Sequence, residues 1–361
     1  MNSWITSAEE LATWLAQAGP HASVALDTEF VRERTFHPRL ALVQLAWDGG
    51  QVALVDVLTL ERPADLVALI EGRGLTKVMH SASEDLQALH HHYGVLPQPL
   101  FDTQVAAAMC GLGAGLSYQK LVAELLGVQL EKGETRSDWM RRPLSDAQLH
   151  YAAEDVRHLG AVHAELDARL RALGRRDWLD EDCQRLLDNA IRDDDPYPHL
   201  ASRSAQRMDA TQQARLCRLL RWRDRRARES DKPRSWILDP ELSTLLALRP
   251  PTDRRSFDAL LDGMPRAPRR HRGELWDLIS RPLAPDELAI PLASQPDPDM
   301  KPLLKRAQSA VAGVAGELGI PEGLLAAKRH LEALLERREW PEALSGWRRS
   351  LLEPRLAPLL Q

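Results

Sequence analysis

Cysteine is scarce in this 361-residue chain: Cys110, Cys183 and Cys217 lie far apart and are odd in number. They form neither a disulfide framework nor a zinc motif and they suit a reducing cytosol, so a cytoplasmic protein is expected. Long apolar runs are lacking as well. Nothing approaches the ~20 apolar residues of a membrane-spanning helix. The opening MNSWITSAEE has no basic-then-apolar signal pattern, so no membrane partner is expected. An apolar fraction of 44% with 27% charged residues is ordinary for a globular protein. The length leaves room for two or three domains, each able to bury its own core.

The charge is unevenly spread. Residues 1–202 carry 18 Lys and Arg against 30 Asp and Glu, residues 203–281 carry 19 against 11, and residues 282–361 carry 10 against 11. An acidic first part suits a site that collects metal ions. A basic middle part suits a phosphate backbone, which is bound largely electrostatically. A solvated Arg-rich surface is the competing reading of that middle part.

Ser7-Ala-Glu-Glu10 is a capping-box pattern that predicts a helix over 7–18. Strand-like runs follow at 23–30, 39–47 and 51–57, with Asp48-Gly-Gly50 as the turn between the last two. A helix near 63–71 precedes a short strand, Lys77–His80, and Ser81-Ala-Ser-Glu84 is expected to cap the helix carrying Asp85. Further helices are expected at about 102–111, 117–127 and 145–171, with Asp102 capping the first of them. This order argues for a mixed sheet flanked by helices. Arg192–Pro198 reads as a linker, and six prolines between Pro282 and Pro302 read as a second one. Three pieces result, at 1–192, 205–281 and 297–361, the last two all-helical. These two share a faint plan, with a Pro-containing turn at Asp239-Pro240 in one and Ile320-Pro321 in the other.

Three short blocks carry the chemistry: Asp27-Thr-Glu29 in the first strand, Glu84-Asp85 at the start of a helix, and Tyr151-Ala-Ala-Glu-Asp155 in a later one. The two-residue period of a strand sends Asp27 and Glu29 to one face. The helical period puts Tyr151 and Asp155 on one face, a turn apart. Gathered carboxylates repel one another, and a divalent cation relieves the repulsion. Oxygen ligands with no accompanying His or Cys set favour Mg²⁺ or Mn²⁺ over zinc. Carboxylate-held pairs of such ions serve in-line attack on phosphodiesters. The chain therefore reads as a metal-dependent nuclease.

Other candidates are weaker. A helix turns Glu84 and Glu154 by ~100° from their catalytic neighbours, off the site. His90, His91 and His92 are consecutive on a helix, point apart, and read as a solvated helix end. His80 is either a neighbour of the site or a packing residue, and Asp56 and Asp65 have no support as ligands. Trp139 and Arg142 are candidates to touch a terminal nucleotide or its phosphate. Arg218, Arg221, Arg225 and Arg228 follow i, i+3, i+7, i+10 and form one face that can track phosphates. Trp222 beside them either stacks on a base or faces the core. The stretch Arg266–Arg272 is a second basic candidate.

The three blocks resemble the motifs of the DEDD exonuclease superfamily, and Tyr151 resembles the mark of its tyrosine subclass. The segments Leu26–Arg32, Leu96–Gln104 and Ser137–Leu144 look like bacterial ribonuclease D, and Asp224–Glu229 with Ile237–Leu242 looks like an HRDC domain. The resemblance covers nearly the whole chain. It implies a ribonuclease H-like mixed sheet flanked by helices, followed by two all-helical HRDC-type domains. It also implies a 3′→5′ exoribonuclease that releases 5′-mononucleotides and trims the single-stranded 3′ ends of tRNA precursors. By that likeness Asp27, Glu29 and Asp155 hold the ion that activates water. Asp27 and Asp85, the latter partly through water, hold a second ion on the leaving-group side. Tyr151, with an ordinary pKa near ~10, orients the water. A DNA exonuclease and a nucleic-acid adaptor with vestigial catalysis are the rival readings; a monomer is assumed.

Overall fold

The computed structural model describes residues 2–17, 22–60, 62–131, 133, 137–192, 194–293 and 300–360. The chain divides into two compact units. The first comprises Met1–Val31, Pro38–Ile191 and Asp299–Gln361; the second comprises Arg32–His37 and Arg192–Pro298.

The first unit is built on β1 (Asn2–Ile5), β2 (Ser23–Val31), β3 (Arg39–Ala46), β4 (Val52–Asp56), β5 (Thr76–Met79) and β6 (Leu100–Asp102), in the sheet order β1-β4-β3-β2-β5-β6. The β2–β3 and β3–β4 pairs are antiparallel and the other pairs parallel, as a mixed sheet requires. Around it stand α1 (Ala8–Ala16), α2 (Ala64–Glu71), α3 (Ser83–Tyr93), α4 (Thr103–Met109), α5 (Tyr118–Leu126), α6 (Asp146–Arg157), α7 (Leu159–Ala172) and α8 (Arg176–Ala190). The core is the continuous apolar run of β3 and β4, whose residues Leu42, Val43, Leu45 and Val55 are fully buried.

The expected elements are present, with four departures. Strands β1 and β6 are too short for alternation to be legible, at four and three residues. Helix α8 leaves little trace in the sequence because its apolar stripe is thin: Leu179, Cys183 and Leu187 in a charged segment. Ser81 does not cap α3, which has no side-chain cap. Ser81 instead adopts φ +59°, and the Asp102 carboxylate accepts the backbone N–H groups of Ser81 and Ala82 (3.3 and 2.9 Å). Asp102 does cap α4, as expected, accepting from the Gln104 and Val105 N–H groups. The fourth departure concerns the helix expected over 145–171, which breaks at His158. The Tyr118 hydroxyl enters the ladder there, donating to the Glu154 carbonyl (3.1 Å) and accepting from the His158 N–H (3.2 Å). A side chain inserted between residues i and i+4 is a recognised cause of a kink.

The second unit holds α9 (Ala210–Glu229), α10 (Arg234–Ile237), α11 (Pro240–Leu248), α12 (Arg254–Asp262), α13 (Arg272–Ser280) and α14 (Pro285–Leu288). Its core gathers Leu219, Trp222, Leu242, Phe257 and Leu275, together with Phe36 from the short inserted segment. Asp231 fixes that segment by accepting from the Phe36 and His37 N–H groups (3.0 Å each).

Helices α15 (Met300–Leu318), α16 (Glu322–Leu325), α17 (Lys328–Arg337) and α18 (Trp347–Leu356) return to the first unit. The expected boundary at 297 lies outside the described residues. The physical tie is specific. Arg348 forms a two-pronged pair with Asp182 of α8 (2.5 and 2.7 Å), and Trp347 stacks on Trp178 with ring centres 4.7 Å apart. Arg175 donates to both the Met109 and Leu318 carbonyls (2.6 Å each). A side chain at Gly111 would meet the Gly319 carbonyl oxygen at 2.4 Å, so two backbones approach there as closely as glycine permits.

The faint internal repeat has a clear structural form, in a different register from the one read in the sequence. A long helix, a four-residue helix and a nine- or ten-residue helix follow one another in α9–α10–α11 and again in α15–α16–α17. The turn equivalent to Ile320-Pro321 is Lys232-Pro233, not Asp239-Pro240. Pro233 and Pro321 are the N-caps of the two short helices.

Candidate active site

Alternation along β2 sends Asp27 and Glu29 to one face and Thr28 to the other. Helix α6 carries Asp155 to the first pair, and one ligand oxygen from each of Asp27, Glu29 and Asp155 lies within 4.8 Å of the others. Among the described residues this is the one group of three or more acidic, His or Cys side chains close enough to share an ion. Asp85 is buried at the start of α3, outside that tight trio, where the Thr28 hydroxyl donates to its Oδ1 (2.5 Å). The sequence offered no signal for this use of Thr28.

The electrostatics are those of carboxylates buried close together. Burial first, then the charges of Asp85, Asp155 and Glu29, pushes Asp27 well above the carboxylate range. Burial followed by Asp155 and Asp85 pushes Glu29 up to about 9. Burial raises Asp85 to about 7 against the opposing Thr28 hydrogen bond, and Asp155 to about 7 against a hydrogen bond from Tyr151. Burial, then the charge of Asp155, raises the Tyr151 phenol above its ordinary value, so it stays protonated and donates to Asp155. A divalent cation is the group that reverses this confinement.

The donor set fits such an ion. Every candidate ligand is a carboxylate oxygen, the preference of Mg²⁺ and Mn²⁺. Gln44, directly across the β2–β3 ladder from Asp27, is fully buried, and neither atom of its amide has a protein partner. Cross-strand partners share a face, so this amide lies on the Asp27 side of the sheet. An orphaned polar group there suits a hydrated ion's surroundings. The signal the sequence carries for it is one amide inside the apolar run Leu40–Ala46.

Several candidates have other work. Arg142 is a structural clamp, not a free phosphate ligand: it holds Asp56 through two bonds (2.8 and 2.7 Å) and the Ala41 carbonyl (2.8 Å). Ala41 is the residue left over where the β2–β3 register shifts, between the pairs Glu29–Leu42 and Phe30–Leu40. Trp139 is buried, its ring 6.1 Å from that of Tyr151, and is no exposed stacking surface. Arg218 is also committed, to Glu287 and to the carbonyls of Leu278, Arg281 and Pro282. That pairing holds the Glu287 carboxyl down to about 2. Trp222 is core and donates to Glu274 (3.0 Å). Arg228 pairs with Asp194 (2.7 Å) and lies over the Phe36 ring. Arg221 and Arg225 are exposed. Glu154 is off the trio, paired with Arg157, and Glu84 is exposed. His80 is braced between Thr103 Oγ1 (2.9 Å) and the Leu116 carbonyl (3.0 Å), a packing role. The large side chain that stands out on the second unit is Trp236, 57% exposed on the short helix after α9.

A family model described as 3′-5′ exonuclease matches residues 2–171, which contain the whole carboxylate cluster. A ribonuclease D of Xanthomonas oryzae pv. oryzae is 52% identical over 365 residues, covering 100% of this chain and 99% of that protein. Ribonuclease D of Escherichia coli K12 is 33% identical over 374 residues, covering 99% and 98%. A crystal structure of Escherichia coli RNase D, described as an exoribonuclease involved in structured RNA processing, matches with a TM-score of 0.87. It is 32% identical and covers 100% of this chain and 99% of that one.

Proposed function

The chain belongs to the ribonuclease D family of exoribonucleases, and from that premise we propose that the carboxylate cluster hydrolyses the last phosphodiester of an RNA 3′ end. The observation that carries this reading is the convergence of Asp27, Glu29 and Asp155 on one point inside the matched exonuclease region. Asp27, Glu29 and Asp155 would hold one divalent ion, Mg²⁺ or Mn²⁺, and Asp27 with Asp85 a second. When bound, such ions supply activation of water and neutralise the charge that develops on the departing 3′-oxygen.

The chain's own groups do the positioning. Tyr151 donates its O–H to Asp155, which leaves its oxygen lone pairs to accept a hydrogen bond from the attacking water. Its raised pKa makes it a holder of that water and not a base. Thr28 keeps Asp85 in one orientation. Water attacks phosphorus and gives up a proton, the bond to the 3′-oxygen breaks, and that oxygen takes up a proton in its place, so none is gained or lost overall. The products are a nucleoside 5′-monophosphate and an RNA one residue shorter.

The substrate class is RNA with a single-stranded 3′ end, tRNA precursors among them, acted on by a monomer in the cytoplasm. Helices α9–α14 and α15–α18 are two HRDC-type pieces, a reading supported by their shared three-helix plan. Arg221, Arg225 and Trp236 are the groups of the second unit suited to phosphates and bases.

The test is a 5′-labelled RNA with a 3′ extension beyond a stem, with and without Mg²⁺, alongside Asp155→Asn and a DNA copy. Expected is a metal-dependent ladder that shortens from the 3′ end, is absent in the variant and is weaker on DNA. Equal shortening of DNA would make the protein a general exonuclease, since only a 2′-hydroxyl contact separates the polymers locally. Binding without cleavage would make it an adaptor.

A further inference from the structure

Gly133 lies eighteen residues before the tyrosine of the site, in the segment that follows α5, and nothing in the reaction described above uses it. Its backbone is pressed against the tyrosine ring. A side-chain carbon built on Gly133 would fall 1.7 Å from Tyr151 Cδ2, 2.3 Å from Cε2 and 2.8 Å from Cγ. Real carbon atoms never come so near, and the colliding atoms belong to the body of a ring that cannot bend away locally. Glycine is thus required here for space. Trp139 stands 6.1 Å from the same ring, itself buried. The ring is thus walled by the main chain of Gly133 along its Cδ2–Cε2 edge and by an indole, while its hydroxyl reaches Asp155.

We propose that Gly133 is a positioning residue for the reaction: its missing side chain leaves the slot in which the Tyr151 ring sits, and so sets where the Tyr151 hydroxyl holds Asp155 and the attacking water. The inference rests on the role given above to Tyr151. A methyl group in the slot turns or lifts the ring, and a displacement of about an ångström at a positioning group costs on the order of a hundredfold in rate. Substrate binding through the rest of the RNA is untouched, so the loss falls on kcat.

The test uses the full-length chain as Gly133→Ala, Tyr151→Phe and the double variant, assayed on RNA with a single-stranded 3′ end. Expected for Gly133→Ala is a kcat near that of Tyr151→Phe, a KM within about threefold of the parent, and no further loss in the double variant, because both changes act through one hydroxyl. A spectroscopic reading separates this from general damage. The chain has only 4 tyrosines, so 3-fluorotyrosine labelling gives a ¹⁹F spectrum in which Tyr151→Phe identifies the resonance of interest. Gly133→Ala should move that resonance and leave those of Tyr93, Tyr118 and Tyr197 in place. A parent-like kcat, an unmoved Tyr151 resonance, or losses that multiply in the double variant would each overturn the proposal. If Tyr151→Phe itself keeps full activity, the role of the tyrosine has failed, while the ¹⁹F spectrum still reports whether Gly133 seats the ring.

Discussion

Four carboxyl groups whose pKa values are raised by burial and by one another, Asp27, Glu29, Asp85 and Asp155, make the metal-free protein pH-sensitive in a definite direction. In the unfolded chain such groups titrate near ~4, while Asp85 and Asp155 titrate at about 7 and Glu29 at about 9 in the folded one. Between those values the folded state holds protons that the unfolded state has released, so stability falls as pH rises from the unfolded toward the folded pKa values. In chelator, the melting temperature of the parent should therefore fall from pH 5 to pH 8 more steeply than that of Asp27→Asn, which removes one of the charges. The rise on adding Mg²⁺ or Mn²⁺ should grow over the same range. Parallel profiles for parent and variant would dismiss the cluster as the cause. Gln44 is a second test at this scale. An apolar replacement of similar size, Gln44→Leu, removes two buried groups without partners, so in chelator it should be at least as stable as the parent. If the amide serves the ion's surroundings, metal affinity should fall about tenfold, read calorimetrically without any assay of activity. Unchanged affinity would return Gln44 to the core.

Along α9 the four arginines at i, i+3, i+7 and i+10 do lie on one broad face, as their spacing says, but spacing does not say what covers that face. Its first end is roofed by the chain returning through Leu278–Glu287, which converts Arg218 into a buried structural cation, while Arg221 and Arg225 stay in solvent. Replacing Arg218 by Ala should thus lower the melting temperature by taking from Glu287 its buried partner and leaving it only the exposed Arg281, 3.4 Å away. Replacing Arg221 and Arg225 together by Gln should leave it unchanged and lower the salt dependence of single-stranded RNA binding by about 1.4 in log–log slope, two contacts at ~0.7 each. Trp236→Ala should weaken that binding about tenfold, the scale of one base–aromatic stack. Equal salt slopes would remove these residues from the RNA path. The same limit governed what the sequence made legible elsewhere. Periodicity placed Asp27 beside Glu29 and Tyr151 beside Asp155, because each pair lies within one element. It did not foresee Thr28 reaching Asp85, Asp56 capturing Arg142, or Tyr118 splitting α6 from α7, because those bonds join residues 36 to 86 positions apart. Edge strands of three or four residues were too short to leave a pattern at all.

At the scale of the molecule, the position of α15–α18 decides what the C-terminal helices are for. They form one compact unit with the sheet, joined by the Arg348–Asp182 pair, the Trp178–Trp347 stack and the close approach of Gly111 to Gly319. The Arg348 and Asp182 side chains are only 12% and 9% exposed, and Asp182 also accepts from Trp347 Nε1 (3.1 Å). Removing one partner of such a pair strands the other as a buried charge, a loss of about 3 kcal/mol or more. Asp182→Ala should accordingly melt well below the parent while retaining parental activity per folded molecule at lower temperature, on short and long RNA alike. A chain ending at residue 298 should be harder still to fold, because Leu331, Leu334 and Leu352 share the core that would be left open. A detachable RNA-binding appendage predicts the reverse: an unchanged melting temperature for the shortened chain, with activity lost on long substrates only. The buried pair and the shared core favour the first outcome, in which the segment Asp299–Gln361 is part of the wall of the catalytic unit.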